Sequence, residues 1–137
     1  MGKIISSSEH FKLEYDYNQH ILIATFKFDS LKAGIEELKK SLYKIAEATG
    51  TEDVKGIVMD SSQADFPLSD EMSNWIAENI TPVFVKNGVK KVAYVFPQEF
   101  ITRLGLEMFV DEVSEKVKEL KRGLFDNLPE AKEWVSK

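Results

Sequence analysis

The chain contains no cysteine among its 137 residues. That excludes disulfides and thiolate metal sites, and it fits a reducing cytoplasm, the compartment expected here. Its seven glycines stand singly, so no glycine-rich loop can cradle a phosphate as a P-loop or dinucleotide fingerprint does. A Gly-x-Ser-x-Gly nucleophile elbow is also missing. No apolar run nears the ~20 residues that cross a bilayer, so no transmembrane segment is expected. Ile4-Ile5 is too short for a signal-peptide core. Met1-Gly2-Lys3-Ile4-Ile5-Ser6 matches the loose myristoylation pattern, but a plain flexible start over residues 1–8 is the simpler reading.

Histidine is scarce, with two in the chain. His10 and His20 flank a stretch that reads as extended chain, which holds them apart, so both are read as surface residues. No metal site and no other cofactor is expected. Without Cys or a well-placed His, catalysis would fall to carboxylates, Lys or Tyr. No paired carboxylate stands out from the solvated background, so the chain reads as non-enzymatic. Basic charge is in deficit: Lys and Arg total 18 against 23 Asp and Glu, a net charge of −5. That field repels phosphate backbones. The one dense basic group is Lys116, Lys118, Lys121 and Arg122. Glu119 interrupts it and no aromatics interleave it, so it reads as a solvated face and no nucleic-acid partner is expected.

What the chain does have is ordinary globular material, 43% hydrophobic and 30% charged, at a length that suits one domain. Phe11, Leu13, Tyr15 and Tyr17 alternate with Lys12, Glu14 and Asp16, the period of a half-buried strand. It is expected at a sheet edge, guarded by those charges. Asn18-Gln19 turns the chain into Ile21 to Phe28, nearly continuous apolar and suited to a strand covered on both faces. Ser30 can cap a helix whose stripe is Leu31, Ile35, Leu38, Leu42 and Ile45, with Gly50 ending it. Val54 to Asp60 is the next strand. Ser69 can cap a helix striped by Met72, Trp75, Ile76, Ile80 and Val83, with a kink or restart at Pro82. Asn87-Gly88 closes it. Val89 to Phe96 is a strand, and Pro97 opens a helical region reaching Lys116, with a break near Gly105. Leu120 to Phe125 is a weaker edge-like strand, and Leu128, Ala131, Trp134 and Val135 face a last short helix. The order ββαβαβαβα predicts a single α/β domain: a mixed, mostly parallel sheet with an antiparallel edge strand, covered by helices.

The stretch richest in polar groups is Asp60-Ser61-Ser62-Gln63-Ala64-Asp65-Phe66-Pro67-Leu68-Ser69-Asp70. It leaves the carboxyl end of a strand and enters a helix N-terminus, where ligands of open α/β sheets usually bind. Asp60, Ser61, Ser62 and Ser69 are therefore the candidate binding residues. Asp60 and Ser61 can equally satisfy the loop backbone while Ser69 serves as a cap.

Ile57-Val58-Met59-Asp60, the helix with Trp75, Val92-Ala93-Tyr94-Val95 and the closing segment from Phe125-Asp126 through Trp134-Val135 together resemble the SpoIIAA-like branch of STAS domains. The resemblance runs from about residue 9 to the end, which makes 9–137 the domain. It implies the same strand and helix order and a regulatory role through protein partners. In the name-giving members a serine at the start of the second helix is phosphorylated to switch binding, and Ser69 stands at about that position. Here Leu68 precedes it and Asp70-Glu71 follow, in place of the Asp-Ser-x-Gly surroundings of that switch. The leading expectation is an interaction module with an unknown protein partner, presenting the loop after Asp60 and the helix 69–86. The alternative is a small carrier of an apolar or amphipathic, lipid-like ligand, with a pocket lined by Trp75, Phe84, Phe100 and Met108. A homodimer through remaining apolar surface is compatible with either.

Overall fold

The alternation around residue 13 becomes a strand with one dry face. Phe11, Leu13 and Tyr15 are buried while Lys12, Glu14 and Asp16 are half-exposed. The computed structural model describes residues 2–27, 34–63, 70–96 and 100–137, without the side chains of 100–102 and 116. Among the described residues six strands form one sheet: β1 Gly2–Ser7, β2 Phe11–Asp16, β3 Ile21–Phe26, β4 Gly56–Asp60, β5 Lys91–Val95 and β6 Lys121–Phe125. Five helical segments accompany them: α1 Gly34–Thr51, α2 Asp70–Asn79, α3 Thr81–Lys86, α4 Phe100–Lys116 and α5 Leu128–Ser136.

The strands lie side by side in chain order. β1, β2 and β3 pair antiparallel, and β3 through β6 pair parallel. The α/β class with a mostly parallel sheet and an antiparallel edge is what the sequence patterning implies. Right-handed crossovers taken repeatedly in one direction put their helices on one face of the sheet. Accordingly Leu38, Leu42 and Ile45 of α1, Met72 and Ile76 of α2, Phe84 of α3 and Phe109 of α4 share a core with Leu13, Leu22, Ile57, Met59 and Val92. Among the described residues α5 alone covers the other face, where Ala131 and Val135 meet Ile21, Ile23, Val58, Ala93 and Val95. Gly56 makes that approach feasible, since a Cβ there would sit 3.0 Å from Val135 Cβ.

Several local readings change. Residues 2–7 form a strand rather than a flexible start, so β2 lies inside the sheet and β1 is the edge. The helix α1 runs through Gly50 to Thr51, since the buried Ala48 and Thr49 hold its last turn against the core and Glu52 N–H still donates to Ala48 O. Ile35 is 45% exposed and stands off the buried stripe. Leu31 and Ser30 lie outside the described residues. α4 is continuous through Gly105. The restart at Pro82 is present: α2 stops at Asn79, and Pro82 sits in the first turn of α3, where its missing N–H costs nothing. Gly88 then turns the chain with φ of 90°.

Candidate interaction site

Asp60 ends β4, where the chain leaves the sheet, and is 9% exposed. One of its carboxylate oxygens accepts from the Ser62 backbone N–H at 3.0 Å and from the Ser62 hydroxyl at 2.7 Å. The Ser61 N–H donates to Val95 O at 3.2 Å, tying the start of the loop to β5. Asp60, Ser61 and Ser62 thus form a local turn in which Asp60 folds the backbone back on itself. Ser69 lies outside the described residues, as does the loop from 64 onward.

Beyond that loop, α2 begins with exposed Asp70 and Glu71, which suit the positive end of the helix. Its inner face buries Met72, Ser73 and Ile76. Trp75 is half-buried, packed against the core on one side and against Tyr43 of α1 on the other. The two rings meet edge to face, 5.4 Å between centroids and 87° between planes. Lys39 Nζ lies 5.0 Å from the Trp75 ring centre, a cation–π contact. Tyr43 is 53% exposed. Ile35, Lys39 and Tyr43 follow at i, i+4 and i+8 on one face of α1, and Lys39 and Tyr43 are the two that meet Trp75.

The four residues read as a pocket occupy different environments. Phe84 is 2% exposed and Met108 65% exposed; Trp75 lies between these extremes, and Phe100 opens α4 with its side chain outside the described set. Phe84 is core, and Met108 points to solvent.

The sequence reading missed two polar clusters. Arg122 points inward from β6, because strand alternation turns it away from exposed Lys121. Its guanidinium donates to Tyr94 Oη at 3.2 Å, to Thr81 Oγ1 at 3.1 Å and to Val113 O at 3.4 Å. It therefore pins β5, α3 and α4 together and is not part of a solvated basic face. At the opening of β3, Tyr15 Oη donates to Asp53 O at 2.7 Å and lies 3.2 Å from His20 Nδ1. Burial, and then the charges of Asp53 and Glu52, push the Tyr15 phenol above its ordinary value. His20 has φ of 59°, the left-handed region that few non-glycine residues adopt, and its ring nitrogen stands 3.6 Å from Asp53 Oδ2. Among the described residues no group of three His, Asp or Glu side chains is arranged to hold a metal ion, and no helix is long and apolar enough to cross a membrane. Comparison with protein-family models, with curated proteins and with solved structures gives no match for this chain.

Proposed function

We propose that this chain is a non-catalytic, STAS-like interaction module that docks a partner protein on the surface shared by α1 and α2. The observation that carries this reading is the exposed Tyr43 packed edge to face on Trp75. Trp and Tyr dominate the energetics of protein interfaces because they desolvate a large area at little cost in side-chain entropy. Trp75 is held in place by the core and Tyr43 is held by Trp75, so the pair is pre-ordered before any partner arrives. Ile35 extends the apolar line, while Asp70 and Glu71 put negative charge at the start of α2. The matching partner would offer an apolar anchor with basic residues at its edge.

The test is quantitative affinity capture from cells of the source organism, comparing wild type with Tyr43→Glu and with Lys132→Glu on α5. A partner held by wild type and by Lys132→Glu, and lost by Tyr43→Glu, supports the reading. Equal recovery with all three baits would sink it. Native mass spectrometry of the same material reads out the carrier alternative as a retained apolar ligand. Phosphate on Ser69 at substantial occupancy would add the STAS type of switch to the module.

A further inference from the structure

A second surface lies beside α5, across the sheet from Tyr43 and Trp75. The turn between β2 and β3, the starts of β4 and β5 and the end of α5 frame an open cleft of about 640 Å³. Its lining includes Lys55, Lys90, Lys91 and Lys137 with His20 and Gln19, and no Asp or Glu side chain. A shallower hollow of about 400 Å³ adjoins it along α5, sharing Gln19 and Ser136.

We propose that this cleft binds a small polyanion carrying clustered phosphate groups. Its lysines come from separate stretches of chain, so the fold gathers them. It does so in a protein whose acids outnumber its bases, 23 to 18. Packing like charges together costs free energy unless an anion relieves it. Asp53, 3.2 Å from Lys55, and Glu133, 2.8 Å from Lys137, offset two of the four charges. Lys90 and Lys91 have no carboxylate partner among the described residues. Lys91 is also fixed in place: its Nζ donates to Trp134 O at 3.2 Å and lies 5.1 Å from the Trp134 ring centre. That contact sets a positive charge against the negative end of α5.

Ammonium groups bind phosphate as point charges, without the planar fork that carboxylates favour. The volume falls within the ~300–1,000 Å³ of small-molecule sites, and the net negative field keeps long nucleic acids away. The ligand is therefore compact: either a soluble polyphosphorylated molecule or the headgroup of a phosphorylated lipid.

The experiment titrates inorganic triphosphate into the ¹⁵N-labelled chain at low ionic strength. Saturable shifts are expected at residues 18–20, 55, 90 and 91. Lys90→Glu should weaken binding by about tenfold, whereas Lys40→Glu on α1, with the same change in net charge, should leave it nearly unaltered. Lys90 is exposed, and equal thermal midpoints for the two variants confirm that folding is intact. Absence of saturable shifts overturns the proposal. So does equal weakening by both variants, which would mean a general charge effect. Sedimentation with phosphatidylcholine vesicles containing a phosphoinositide bisphosphate then separates the sources. Retention that Lys90→Glu abolishes assigns a lipid headgroup, and triphosphate binding without retention assigns a soluble ligand.

Discussion

Tyr15 shows how a single side chain can be buried for packing and still be chosen for its polar tip. Its ring belongs to the main core, while its hydroxyl ties the loop before β4 to the β2–β3 turn. Tyr15→Phe keeps the ring and leaves Asp53 O without its partner, so it should cost about 0.5–1.5 kcal/mol near neutral pH. The pH dependence follows from the raised phenol pKa. Folding favours the neutral form, so the contribution is complete below the ordinary value of 10.0. It is lost as pH climbs through the higher folded-state value. The gap in urea midpoint between wild type and Tyr15→Phe should therefore be smaller at about pH 11 than at about pH 8. A gap that stayed constant would show that Tyr15 does not titrate differently in the folded state. Arg122 makes the complementary point. In the sequence it sits within a run of basic residues, and only the strand's alternation, a property of β6 as placed in the sheet, sends it under α3 and α4.

Elements were legible where an apolar period was strong. β2, β3, α2 and α5 stand close to where their patterns put them, because β2, α2 and α5 each bury one regular face and β3 is covered on both. Leu38 of α1 is 7% exposed, and Leu38→Ala should cost about 2–5 kcal/mol; an unchanged denaturation midpoint would contradict its place in the core. Glycine was read less well, since the same residue ends one helix and passes unnoticed through another. Gly50 and Gly105 both lie inside helices, whereas Gly56 is required by packing. This gives a pair of opposite predictions. Gly56→Ala should destabilise by about 1–3 kcal/mol, because its methyl would press on Val135 at the α5 contact. Gly105→Ala has nothing within 4 Å of the new methyl and should stabilise by about 0.5–1 kcal/mol through helix propensity. Thermal denaturation of both variants checks the signs. The cationic cleft left no trace in the sequence, because Lys55, Lys90 and Lys137 are far apart in the chain. The loop at Asp60 was legible as a polar corner, and its hydrogen bonds turn out to be mostly internal.

At the scale of the whole molecule, β1 is the exposed antiparallel edge of the sheet. β1 escaped the sequence reading because Gly2–Ser7 ends in two serines, lacks alternation and has almost nothing buried; backbone pairing holds it, with Lys3–Glu52 at 3.2 Å as a surface tie. It adds little to the core, yet it covers the outer edge of β2. β1 is poorly suited to pairing with another chain, since its register slips between Ile4 and Ser6 and a bulge twists an edge out of line. β2 is regular over six residues and would be a far better template if uncovered. A chain beginning at Ser8 should therefore keep its fold, with a circular dichroism spectrum close to that of the intact protein, because Phe11, Leu13 and Tyr15 remain under the helices. It should also self-associate with rising concentration, while the intact chain sediments as a monomer over the same range. If the shortened chain stayed monomeric throughout, β1 would not be acting as a guard strand. If the intact chain associated equally, the contact would lie elsewhere, and the exposed Tyr43 and Trp75 surface would be the first place to mutate.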